Sequence, residues 1–185
     1  ARTLGVKEKE IYFTSGGTES NNSIIRGVLD KRKNHIITTK IEHPSVLDTI
    51  KTLEKEGIEV TYLDVDSEGK IDIDSLKSSI KENTILVSVM HVNNEVGSIQ
   101  PISEVGKYLK TLKEKVYFHV DAVQSFGKIN FKPSKYNIDF MSVSGHKIHG
   151  PKGIGFMYIK ENSKVKPLFT GGGQEFGFRS GTENI

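Results

Sequence analysis

Short runs rich in β-branched and aromatic residues recur along the chain and alternate with longer stretches of another periodicity. The runs are IYFT (11–14), HIITT (35–39), IEVTYL (58–63), TILVSVM (84–90), KVYFHV (115–120), DFMSVS (139–144) and IGFMYI (154–159). Their length and composition predict strands. Between them, apolar residues fall at helical spacing over about 18–31, 44–56, 72–79 and 102–112, with Pro44 in the first turn of the second stretch. Strands alternating with helices predict an α/β domain with a mostly parallel sheet. TILVSVM is apolar without alternation, as a central strand covered on both faces would be. With 185 residues, 35% of them hydrophobic, and with no repeat or linker, the chain is the size of one domain with a sizeable core.

In open α/β sheets ligands bind beyond the carboxyl ends of the strands, so the residues that follow each strand are the ones to inspect. IYFT leads into SGGTESNN, HIITT into KIEHPS, TILVSVM into HVNNE, KVYFHV into DAVQS, and DFMSV into SGHK. Five loops on one sheet edge would thus offer hydroxyls, amides, His, Asp and Lys.

Each loop has a chemical reading and a plainer one. SGGTESNN puts glycines and Thr18 at a strand-to-helix turn, where free N–H groups and the helix dipole suit a phosphate; Thr18 could equally be an N-cap. Asp121 ends an apolar strand, and a buried carboxylate needs a cation or donors to stay ionised, such as a ligand with a protonated ring nitrogen. DAVQ also fits a helix N-cap with Gln124 in the capping-box position. His43, before a Pro-initiated helix, could stack on a flat ligand or move protons, or be structural. Asn93 and Asn94 offer amide donors and also suit an ordinary turn. Lys147 lies between an apolar strand and a glycine loop, where an amine in a partly dry pocket can form a Schiff base with an aldehyde; a surface lysine is the plainer reading.

Other function classes find less support. The net charge of +3 arises from 26 basic and 23 acidic residues mixed along the chain, so no basic face suggests nucleic acid. No apolar stretch nears the roughly 18 residues of a membrane span and ARTLGVKEKE lacks a signal-peptide core, so a soluble, cytoplasmic protein is expected. There is no Cys, hence no disulfide, thiolate metal site or Cys nucleophile in these residues. His146 and His149 could share a helix face, but no third ligand falls at a recognised spacing, so no metal is expected. The glycine turns lack both the P-loop pattern and GxGxxG, which argues against nucleoside triphosphates and dinucleotides. Nine of the 18 glycines fall between Gly145 and Gly181, so the sequence ends in its most loop-rich part.

Six ordered motifs, FTSGGTESNN, EHPSVL, MHVNNEVGSIQPI, HVDAVQSFGKI, SGHKIHGPKGIG and GGGQEFGFRSGT, closely resemble the cysteine desulfurases of the NifS/IscS type, pyridoxal-phosphate enzymes of fold type I. The resemblance implies a three-layer α/β/α large domain over residues 1–185. The N-terminal segment and small C-terminal domain of the family are expected to lie outside this chain. It implies that Lys147 carries the cofactor and serves as proton-transfer base, that Asp121 pairs with the pyridinium nitrogen, and that Gln124 and Asn94 bond the phenolic oxygen side. His43 would stack on the ring and join the catalytic set. Gly17, Thr18, Ser144 and His146 would bind the phosphate, and Thr182 would reach the phosphate of a neighbouring subunit in a homodimer. The implied reaction takes L-cysteine to alanine, with sulfur received by an enzyme cysteine and passed to an acceptor or iron–sulfur scaffold protein. Without that cysteine, these 185 residues alone are expected to be inactive. A selenocysteine lyase or another class-V aminotransferase is the alternative enzyme, and an inactive cofactor- or subunit-binding module the non-enzymatic alternative.

Overall fold

The computed structural model describes residues 1–183. In chain order the elements are β1 (Ile11–Thr14), α1 (Gly17–Gly27), β2 (His35–Thr39), α2 (Pro44–Lys55), β3 (Glu59–Leu63), α3 (Ile73–Ser79), β4 (Thr84–Met90), α4 (Ile102–Thr111), β5 (Tyr117–Asp121), β6 (Phe140–Ser144) and β7 (Gly155–Ile159). The strands form one seven-stranded sheet in the order β1-β7-β6-β5-β4-β2-β3. Neighbours from β6 to β3 pair in parallel, whereas β7 is antiparallel to both β6 and β1. Two reversals restore the direction, so every strand except β7 ends on the same edge.

All seven strand expectations and all four helices are present, and the sheet is mostly parallel as expected. Two local readings change. The first helix stops at Gly27 rather than near residue 31, because another part of the chain crosses its end: the Gly27 carbonyl accepts from Lys166 N at 2.8 Å. A Cβ on Gly27 would lie 2.4 Å from the Lys166 carbonyl oxygen, so only glycine permits this approach. Asp30 then turns the chain, its Oδ1 accepting from Arg32 N at 2.8 Å. The second change is after β5, where DAVQS forms consecutive turns instead of a helix, with Ser125 N and Phe126 N both donating to the Ala122 carbonyl.

Side-chain alternation along the strands divides the core into two layers. Ile36, Leu86, Phe140 and Met157 face α1 and α2, packing on Ile24, Ile25, Val46 and Ile50. Ile37, Val87, Val89, Phe118 and Val120 face the other way, onto Leu76 of α3 and Ile102, Val105 and Leu109 of α4. The result is the three-layer α/β/α arrangement. Each fully buried phenylalanine, Phe118 on one side and Phe140 on the other, contributes about 2–3 kcal/mol through apolar area removed from water. All residues of β4 are buried, in keeping with its lack of alternation.

One polar row runs through this apolar surroundings. His119 of β5 bridges Ser88 of β4 (Nδ1 to Oγ, 2.8 Å) and Ser142 of β6 (Nε2 to Oγ, 3.0 Å). Burial pushes its imidazole down to about 3, so the ring is neutral and each nitrogen has a hydroxyl partner. Among the described residues no helix is long and apolar enough to cross a membrane.

Candidate active site

A cleft of about 230 Å³ opens at the shared carboxyl edge of the sheet. The turn after β1 contributes Gly17 and Thr18, and the segment after β2 contributes His43 and Ser45. The end of β4 adds Met90, Val92 and Asn94, β5 and its turns add Asp121, Val123 and Gln124, and β6 adds Ser144, His146 and Lys147. The five loops singled out in the sequence therefore converge. Of the residues that the resemblance assigns to the site, Thr182 lies elsewhere, in a cavity of about 380 Å³ with Phe13, Glu175 and Arg179.

The glycine turn is shaped by steric need. Gly16 has φ 149°, a conformation that disfavours side chains, and a Cβ on Gly17 would meet Val123 Cγ2 at 2.7 Å. Gly155 lets β7 pass close to this turn: a Cβ there would lie 2.7 Å from Gly16 Cα and 2.5 Å from the Val143 carbonyl oxygen. The N-cap of α1 is Gly16, so Thr18 lies inside the first turn, facing the cleft, and the N-cap reading of Thr18 is corrected. The first intrahelical acceptor serves Ser20 N, which leaves the N–H groups of the preceding turn without helical partners. Glu19 ties this turn to the loop-rich tail: it accepts from Ser15 N at 2.9 Å and, in bidentate fashion, from Arg179 at 2.7 and 3.0 Å.

Asp121 forms the floor and is only 5% exposed. Burial raises its carboxyl above the ordinary range, opposed by hydrogen bonds from Val123 N and Asn21 and by the nearby His43 ring. Its Oδ1 accepts from Val123 N and its Oδ2 from Asn21 Nδ2, both at 2.9 Å. The carboxyl thus caps a two-residue turn, not a helix. Gln124, released from a capping box, lines the cleft, where its Oε1 lies 3.5 Å from Lys128 Nζ.

His43 caps α2 through Nδ1, which accepts from Ser45 N at 3.1 Å and is 2.8 Å from Ser45 Oγ. Its structural and cleft-facing readings both hold. Beneath it, Glu42 is 4% exposed, and its Oε1 accepts from Thr39 Oγ1 at 2.8 Å and Met90 N at 2.9 Å. Burial pushes this carboxyl up to about 8, against those two hydrogen bonds and with Asp121 adding to the rise. Burial thus favours the protonated form of Glu42, which fastens the end of β2 to that of β4. The asparagine pair divides its labour: Asn93 is buried, with Oδ1 accepting from Glu95 N and Val96 N at 2.9 Å and Nδ2 donating to the Ile41 carbonyl at 2.9 Å, while Asn94 faces the cleft.

Lys147 lies on a short 3-10 turn, Gly145–Ile148, that leaves the sheet directly after β6. It lines the cleft and is exposed, as the plainer reading of a surface lysine has it, because the turn carries it past the sheet edge. Its amine makes no hydrogen bond or ion pair among the described residues. Ser144 and His146 are joined by an Oγ to Nδ1 contact of 2.8 Å. His149 adopts φ 63° and is not part of the cleft lining. Among the described residues no group of three His, Cys, Asp or Glu side chains is placed to hold a metal.

Sequence reasoning missed Asn21, Ser45 and Glu42. Asn21 follows Gly17 by one helical turn and so shares its face, a spacing that could have drawn attention to it. Glu42 and Ser45 flank His43 in EHPS, but only the fold distinguishes a buried carboxyl there from a solvated one.

Residues 1–185 match the family model of Aminotransferase class-V, and the chain belongs to that family. Within it, the chain is 50% identical over 188 residues to the cysteine desulfurase IscS of Dictyoglomus turgidum, covering 100% of this chain and 47% of that protein. It is 51% identical to the mitochondrial cysteine desulfurase of Saccharomyces cerevisiae, covering 98% of this chain and 37% of the relative. Among solved structures, a NifS-like protein superposes with a TM-score of 0.96 at 49% identity, over 100% of this chain and 51% of that one. The protein SspA, solved in complex with cysteine, gives 0.94 at 46% identity over 99% and 54%. The chain thus spans about half the length, or less, of the relatives it matches.

Proposed function

We propose that this chain is the cofactor-binding part of the large domain of a pyridoxal-phosphate-dependent cysteine desulfurase. In this proposal the parent protein converts L-cysteine to L-alanine and leaves the sulfur as a persulfide on an enzyme cysteine. The observation that carries the reading is the placement, around one cleft, of a lysine amine with no hydrogen bond or ion pair among the described residues (Lys147), a buried carboxyl (Asp121) and a glycine turn whose first helical N–H groups have no helical partner. The high identity to cysteine desulfurases supports the choice of substrate.

The residues fit pyridoxal phosphate. Asp121 is buried with two donors and no ion pair among the described residues, so a protonated ring nitrogen would supply the missing cation. Gly17 and Thr18 would hold the phosphate with Ser144 and His146 beside them, and a side chain at Gly17 would collide with Val123. Gln124 and Asn94 would bond the phenolic side, and His43 would lie against the ring. When bound, the cofactor supplies an aldehyde for the Lys147 amine and a ring able to draw electrons from the substrate carbon. Asp121 would keep a proton at the ring nitrogen, and Lys147 Nζ, without other partners among the described residues, would take and return the substrate proton.

Three further elements belong to the proposal. The parent protein is a homodimer in which Thr182 reaches the partner's site, its sulfur passes to an acceptor or iron–sulfur scaffold protein, and it works in the cytoplasm. Since none of the 185 residues is Cys, the sulfur-accepting thiol is proposed to lie in another part of the parent, and these residues alone should release no sulfide from cysteine. Borohydride reduction of the loaded full-length protein followed by peptide mapping should place the cofactor label on Lys147. A label on any other residue removes the assignment, and transamination without sulfide release would replace the desulfurase by an aminotransferase.

A further inference from the structure

The turn after β4 carries Asn94 into the cleft, yet the four residues from Asn94 to Gly97 are all exposed. Apolar burial does not fix the path of this turn, so hydrogen bonds must. Its two ends are tied by backbone bonds, Asn93 N to the Ser98 carbonyl at 2.9 Å and Gly97 N to the Asn93 carbonyl at 3.2 Å. Between them, the one acceptor for Glu95 N and Val96 N among the described residues is Asn93 Oδ1, 2.9 Å from each. The peptide joining Asn94 to Glu95 carries the first of these N–H groups, so that oxygen sets its plane and with it the ψ angle of Asn94.

The nitrogen of the same amide is used too. Asn93 Nδ2 donates to the Ile41 carbonyl at 2.9 Å and to Met90 Sδ at 3.3 Å, which anchors the turn to the ends of both neighbouring strands. Two donors meet the oxygen and two acceptors meet the nitrogen, so the amide is saturated. Reversing it would set oxygen against the Ile41 carbonyl and nitrogen against two N–H groups, so only one orientation fits. Asn94 makes no side-chain hydrogen bond among the described residues. Its aim into the cleft is left to its backbone.

We propose that Asn93 is a positioning residue that aims Asn94 into the cleft by holding the backbone on the carboxyl side of Asn94. The effect on the turn stands on this geometry alone; the effect on the loaded protein rests on the reading of Asn94 as a partner of the cofactor. Two variants separate the direction of the turn from the stability of the fold. Asn93→Ala leaves Glu95 N and Val96 N without their acceptor. Asn93→Asp keeps an oxygen for both N–H groups but sets a second oxygen against the Ile41 carbonyl, so it lowers stability and preserves the turn.

The first test is amide hydrogen exchange, read by NMR on the cofactor-free full-length protein. Asn93→Ala should speed exchange at Glu95 and Val96 about five- to tenfold, the loss of one net hydrogen bond, whereas Asn93→Asp and Asn94→Ala should leave both amides as in the parent. Unchanged exchange in Asn93→Ala overturns the proposal whatever the cofactor does. The second test is the absorbance of the bound cofactor. Asn94→Ala should shift the band, Asn93→Ala should reproduce that shift, and the double variant should shift no further than Asn94→Ala alone. Asn93→Asp should keep the parent band although its urea midpoint falls. A band that follows the urea midpoint through the Ala and Asp variants, or shifts that add in the double variant, would make Asn93 merely structural. Faster exchange in Asn93→Ala with an unshifted band in Asn94→Ala would uphold the control of the turn and remove Asn94 from the proposed cofactor contacts.

Discussion

Two polar regions of this molecule invite comparison: the row Ser88–His119–Ser142 inside the sheet and the cleft at its carboxyl edge. Both gather hydroxyls and histidines on β4, β5 and β6. In the row, each ring nitrogen of His119 meets a hydroxyl and all three residues are fully buried. At the edge, two residues further along β5, Asp121 is buried but accepts only from an amide and a backbone N–H, while Lys147 and Asn94 are exposed. A satisfied polar group stabilises and does nothing further; an incompletely satisfied one is available for a ligand.

The comparison can be broken by substitution at either place. Lys147→Ala should have the largest effect, lowering sulfide release by the full-length protein about 10³-fold or more and abolishing borohydride labelling, with no change in urea midpoint. Asp121→Asn should follow with a loss of about 10²-fold in turnover and a weakened cofactor spectrum, again at little expense in stability. His119→Leu should do the opposite: it leaves two buried hydroxyls unpaired and should lower stability by about 2–5 kcal/mol in urea unfolding, while any folded fraction keeps its cofactor. If His119→Leu abolished cofactor binding in folded protein, the row would have to be counted with the cleft.

Two smaller effects lie in pH. His119 and His91 are held down to about 3 and about 4 by burial, so both are neutral when folded and take up protons on unfolding below about 6.5. Their contribution to stability is complete above pH 6.5 and is lost as pH falls through the folded values, which a series of urea curves from pH 7 to 4 should register. Glu42 acts in the other direction. Its folded value of about 8 lies above the unfolded one, so its contribution is complete below about 4.5 and is lost as pH rises through 8. Glu42→Gln should flatten that decline between about pH 4.5 and 8, and an equal decline in the variant would show that Glu42 is already ionised.

The strands were legible because burial on both faces selects unbroken apolar runs such as TILVSVM, and the candidate residues were legible because they follow those runs directly. Helix ends were less so: α1 stops where residue 166 crosses Gly27, a contact between segments distant in sequence. Likewise DAVQ carries capping-box residues, yet Asp121 spends its oxygens on Val123 and Asn21, and no local pattern reveals a partner that lies on α1. The sequence left the exposure of Lys147 open between two readings, since glycine loops can fold over a site or, as here, carry a side chain beyond the sheet edge.

The insertion of β7 between β1 and β6 has a consequence in time. Among the described residues β1 pairs only with β7, in a register that joins Ile11 to Tyr158. At a synthesis rate of about 5–20 residues per second, the strand ahead of the glycine turn waits roughly 7–30 s for its partner to be made. The glycine turn and the turn that carries Lys147 thus come from opposite ends of this sequence. Capture of a ligand that needs both must therefore await the synthesis of the second half of the sheet, long after the glycine turn has been made.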